Sequence, residues 1–160
     1  MKKLISIIFV LLSISFAAST NAEKTSNLSI PPAIQNVLQK SKPLSGKELR
    51  ELVVNSTMIG HTCTTHSVYE LFFKADGTVI FRKSLDNHQV HKGKWWISNN
   101  HIYSQWKTYQ KKPSINELDY YHLAGDTYIP YNIKDACGPA GTFGQPFLVI
   151  KGDQAGLGSQ

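Results

Sequence analysis

The sequence predicts a mainly β fold: an antiparallel meander of about six to eight strands closing into a small barrel, preceded by one or two short helices. Three observations predict it. From Ser56 onward, apolar and polar residues alternate over short runs. Turn residues separate those runs: Asp76-Gly77, Ser98-Asn99-Asn100 and Ala124-Gly125-Asp126. Each long run also carries one aromatic face. A two-sheet sandwich is the competing arrangement.

Residues 1–22 have the layout of a secretory signal peptide. Lys2 and Lys3 precede an apolar run from Leu4 to Phe16, and small residues lead to Ala22 before Glu23. The run is shorter than the ~20 residues that span a bilayer. No Cys sits at the cleavage point, and no later segment is long and apolar enough to span. The expected product is an exported chain, periplasmic or secreted, with no membrane span. The formal charge is +6. Loss of Lys2 and Lys3 lowers it to +4, with 15 Lys and Arg against 11 Asp and Glu. No Lys/Arg cluster of nucleic-acid type is present.

Residues 23–43 read as a flexible segment with a short helix. Pro31 and Pro32 suit a first turn, and Ile34, Val37 and Leu38 share a face. Residues 44–152 form the barrel domain. It opens on a second helix, where Ser45 and Glu48 make a capping box. Leu44 and Leu49 staple that box, Leu49, Leu52 and Val53 make the buried stripe, and Asn55 is the stop. Strands follow over Val68–Phe73, Thr78–Phe81, Lys92–Ile97, His101–Lys107, Glu117–Leu123, Thr127–Ile133 and Phe147–Lys151. Gly93, Trp95 and Ile97 form the more apolar set of their strand, which sends Trp96 to the other face. Residues 153–160 are rich in Gly, Ser and Gln and read as a flexible tail.

Several of these segments occur in a familiar order. They are Ser45-Gly46-Lys47-Glu48-Leu49, Asn55-Ser56-Thr57-Met58-Ile59-Gly60, Tyr69-x-x-Phe72-x-x-x-Asp76-Gly77-Thr78, Gly93-Lys94-Trp95-Trp96-Ile97 and Gln105-Trp106. The order resembles a family of small exported bacterial proteins known only as a domain of unknown function. The resemblance covers roughly Leu44 to Ile133. It implies a lipocalin-like barrel and no established chemistry. Members tend to carry a cysteine just before the Gln-Trp segment and another in the next strand. This chain has Tyr103-Ser104 and Tyr120-Tyr121 at those places, and its cysteines stand elsewhere.

Those cysteines are Cys63 and Cys137. An even count in an exported chain favours a disulfide. A loop of this length would be stabilised by about 4 kcal/mol in the chain-entropy model. The alternative is two free thiols, one of them a ligand or nucleophile. His61-Thr62-Cys63-Thr64-Thr65-His66 would then be a metal-binding or catalytic stretch, with His61 and His66 as metal ligands and His88 and His91 as further candidates. The plainer reading is a Thr-rich strand end with exposed histidines.

No Gly-x-Ser-x-Gly elbow surrounds Ser104 or Ser114. Asp76 and Asp126 are turn residues and Glu48 a cap, so no carboxylate pair stands out. Cys137-Gly138-Pro139-Ala140-Gly141-Thr142-Phe143-Gly144 lacks the Lys and following helix of a phosphate loop. Aromatic residues are the remaining candidates. Tyr69, Phe81, Trp95, Trp106, Tyr121 and Tyr131 are expected to line the barrel interior, with Phe73 among them. They serve either as plain core or as a pocket for a small apolar ligand. Trp96 and Tyr103 on the outer face offer a protein-binding surface instead. The expectation is a monomeric, non-enzymatic binding module with no cofactor. Its partner would be a small apolar molecule or a protein.

Overall fold

The computed structural model describes residues 30–62, 65–84, 89–106, 114–134 and 138–160. The leader, Cys63, Cys137 and His88 lie outside the described residues. The fold is a closed, eight-stranded antiparallel barrel with one extra strand and two short helices among the described residues. The elements are α1 (Pro32–Leu38), α2 (Gly46–Val53), β1 (Ser56–His61), β2 (Val68–Phe73), β3 (Thr78–Lys83), β4 (Val90–Ser98), β5 (His101–Trp106), β6 (Ser114–Ala124), β7 (Thr127–Lys134), β8 (Thr142–Phe143) and β9 (Phe147–Lys151). Strands β1 to β7 follow one another around the barrel, and β9 closes it between β7 and β1.

Helix α2 forms for the reasons read from its sequence. Ser45 Oγ accepts from the Glu48 amide at 3.4 Å, and Glu48 Oε2 accepts from the Ser45 amide at 2.7 Å. A long-range cap is added: Asn100 Oδ1 accepts from the Gly46 amide at 2.8 Å. At the other end, Lys151 Nζ donates to the carbonyls of Glu51 and Leu52, placing a cation where the helix dipole is negative. Leu49 and Val53 are fully buried, so α2 plugs one end of the barrel.

The turns follow local chemistry. Gly77 sits at φ +84° and Asp76 Oδ1 accepts from the Thr78 amide at 2.8 Å. Asn99 and Asn100, at φ +50° and +64°, form a two-residue connection whose doubly positive φ matches the strand twist. The closing strand is split into β8 and β9. Pro130 on β7 and Pro146 between the two pieces each remove a ladder donor, and a Cβ on Gly144 would stand 2.9 Å from Pro130 Cγ.

One core joins α2 to the barrel wall through Met58, Phe73, Val79, Trp95, Ile102, Tyr120, Phe147 and Val149. A second, smaller cluster lies on the outside of β2 and β3. There Leu157 is fully buried against Phe72 and Ile80. Residues 153–160, expected to form a flexible tail, pack on the barrel through this side chain and through polar anchors. Asp153 accepts from the amides of Leu157 and Gly158 at 2.8 and 2.6 Å, and Arg82 donates to the Ala155 carbonyl at 3.1 Å. One apolar side chain and three polar anchors outweigh a composition that suggests fraying.

Candidate functional site

The aromatic residues singled out from the sequence divide into three groups. Trp95 is core: its indole donates to the Lys74 carbonyl at 2.9 Å and meets Phe73 edge-on at 5.6 Å. Tyr69, Phe81 and Trp106 form an arc at the end of the barrel opposite α2, with ring centroids 6.1 and 5.6 Å apart, and His91 adjoins Phe81 at 6.0 Å. Two glycines make room for this arc. Gly60 faces Tyr69 and Gly93 faces Trp106 on neighbouring strands. Burial pushes the Tyr69 phenol well above its usual value.

Tyr121 and Tyr131 are corrected. Their neighbour Tyr120 points into the core, so Tyr121 points out, and Tyr131 joins it there. The two rings pack with Phe143 at 5.3 and 5.0 Å on the outside of the wall. Strand alternation decides this, and the adjacent Tyr120-Tyr121 pair left the choice of face open. On the same outer surface, Trp96 stacks on Tyr103 at 5.3 Å, and His101 Nδ1 lies 2.5 Å from Asp119 Oδ1.

His61 and His66 are exposed at the β1–β2 connection, His66 at φ +52°. His61 follows inward-facing Gly60 and so turns outward. Among the described residues, no three His, Cys, Asp or Glu side chains converge as a metal site would require. No described helix is long and apolar enough to cross a membrane.

A groove of about 760 Å³ lies at the α2 end. The chain segment before α2 and α2 itself supply Leu44, Glu48, Glu51 and Leu52; the β6–β7 hairpin supplies His122, Asp126 and Tyr128; β9 supplies Val149, Ile150 and Lys151. Sequence reasoning missed this site because its α2 wall lies 70 or more residues before the other two walls in the chain. Two backbone hydrogen bonds help to assemble it. Leu44 donates its amide to the Tyr120 carbonyl at 2.9 Å, and Val149 donates to the Asp126 carbonyl at 3.0 Å.

The groove has an apolar floor and a charged rim. Leu44, Leu52 and Tyr128 are partly buried against the core, and Val149 belongs to it. The Ser45 hydroxyl and amide hold the Glu48 carboxyl below its usual range, so it is fully ionised at neutral pH. The Tyr128 phenol is pushed up by burial and then by the Asp126 carboxylate. His122 Nε2 lies 2.8 Å from the Gly125 carbonyl, which fixes the ring beside Tyr128. Such a lining can hold an apolar body and fix its polar end; it contains no Ser, Thr or Cys to act as a nucleophile.

No protein-family model, curated protein or solved structure matches the chain.

Proposed function

We propose that the chain is an exported, non-enzymatic binding module whose ligand site is the groove at the α2 end of the barrel. The observation that carries this reading is the groove itself. Its volume of about 760 Å³ falls in the range of small-molecule sites, and its lining combines apolar Leu44, Leu52, Tyr128, Val149 and Ile150 with five polar side chains. The barrel scaffold supports it, since a closed wall holds the groove on rigid strands. Export rests on the leader layout and is checked by an intact mass beginning at Glu23.

Methyl NMR tests the site. Titration with octanol should shift the methyl groups of Leu44, Leu52, Val149 and Ile150. Leu52→Arg should abolish those shifts while leaving the remainder of the spectrum in place. Shifts absent from all four groups would sink the reading.

A second reading rests on the arc of Tyr69, Phe81 and Trp106. Aromatic rings grouped at a barrel end suit a flat apolar ligand. Octanol-induced shifts at these three rings, with none in the groove, would transfer the site to this end.

A further inference from the structure

The rim of the groove is acidic although the chain as a whole is basic. Glu48 and Glu51 stand on the α2 wall and Asp126 on the hairpin wall, against a formal chain charge of +6. Lys151 is the one Lys or Arg among the lining residues. Its ammonium is turned onto the carbonyls of Glu51 and Leu52, where it serves the end of α2. Glu51 has Lys47 at 3.8 Å, but both side chains are largely exposed and such a pair contributes little. Asp126 faces the groove from the opposite side, beside the Tyr128 hydroxyl.

We propose that the groove selects amphiphilic organic cations: an ammonium group between Glu51 and Asp126, with an apolar body on Leu44, Leu52, Tyr128 and Val149. This rests on the groove being the ligand site. The charge pattern favours a cation over the other two classes. An anionic amphiphile would bring its head group against three carboxylates, with the one lysine of the lining turned onto the α2 carbonyls. A neutral amphiphile would satisfy the floor and draw nothing from the charges of Glu51 and Asp126. A cation satisfies both. Aromatic Tyr128 in the lining adds a face on which an ammonium or its adjoining methylenes can rest.

The test compares octylammonium, octanol and octanoate on the full protein, by calorimetry and by methyl shifts at Leu44, Leu52, Val149 and Ile150. Octylammonium should bind tighter than octanol by on the order of fivefold, as expected for one or two exposed charge contacts. Octanoate should bind weakest. Raising the salt concentration should narrow the gap between octylammonium and octanol. The double variant Glu51→Gln, Asp126→Asn alters two exposed side chains of the groove and should bring octylammonium binding down to the level of octanol binding measured on the same variant. Equal binding of octylammonium and octanol at the groove would overturn the cation preference and leave the groove as the site. Preferential binding of octanoate would overturn it in favour of an anion held by Lys151. Absence of groove shifts with all three would overturn the site and the preference together.

Discussion

The Trp106 indole covers Gly93 on the neighbouring strand so closely that a Cβ on the glycine would stand 2.7 Å from the indole Cε3. The same Cβ would stand 2.6 Å from the Gln105 carbonyl oxygen, which a ring rotation cannot relieve. Gly60 and Tyr69 repeat the arrangement across β1 and β2, with the Tyr69 hydroxyl 2.7 Å from the corresponding point. Large rings fit inside the wall because two strands give up a side chain opposite them. Gly93→Ala should therefore destabilise the protein by about 1–3 kcal/mol, the usual cost of overpacking. Denaturant melts would reveal it; an unchanged midpoint would mean the indole does not rest on Gly93.

Trp95 and Trp96 are adjacent in sequence and differ in energetic weight. Trp95 is 5% exposed, inside the core, with its indole N–H bonded to the Lys74 carbonyl; Trp96 is 37% exposed and stacks on Tyr103. Trp95→Ala should cost about 3–5 kcal/mol. Trp96→Ala should cost about 1 kcal/mol or less, the scale of a cross-strand pair. The reverse order in urea melts would contradict the assignment of the inner face.

Alkaline pH should unfold the protein through its interior phenols. Burial raises the pKa of Tyr69, and burial with Tyr69 nearby raises that of Tyr120. The folded state thus disfavours both phenolates. Their stabilising contribution is complete below the unfolded phenol value near 10 and is lost as pH rises above it toward the folded values. Tyr69→Phe and Tyr120→Phe should each flatten the fall in stability above about pH 10. Melting temperature against pH measures the effect, and a fall as steep as in the unmodified protein would count against the linkage.

The C-terminal segment should contribute to global stability. Leu157 is fully buried against Phe72 and Ile80, and Asp153 holds the turn that presents it. Leu157→Ala should cost about 2–5 kcal/mol. Asp153→Ala should raise amide exchange at Leu157 and Gly158, its two donors. Exchange as fast in the unmodified protein as in this variant would show that the segment is not held.

Local chemistry was legible in the sequence. The Ser45–Glu48 capping box, the Asp76-Gly77 turn, the Asn99-Asn100 connection and the opposed faces of Trp95 and Trp96 depend on neighbours a few residues apart, and each forms as its residues dictate. The antiparallel barrel followed from those local patterns repeated in order. What spans the molecule was not legible. β8 is two residues long and its break lies opposite a proline on another strand. Tyr121 and Tyr131 face outward because Tyr120 takes the inner position, a choice settled by packing against Phe147 at 4.8 Å. The tail packs on β2 and β3 against Phe72 and Ile80, about 80 residues earlier in the chain. The groove at α2 exists because barrel closure carries β9 back beside β1 and the hairpin of β6 and β7. The hydrogen bonds of caps and tight turns, and side-chain periodicity, act over one or two turns of chain and can be read from sequence. Closure is a property of the whole sheet, and the residues it brings together carry no mark of it in their own neighbourhoods.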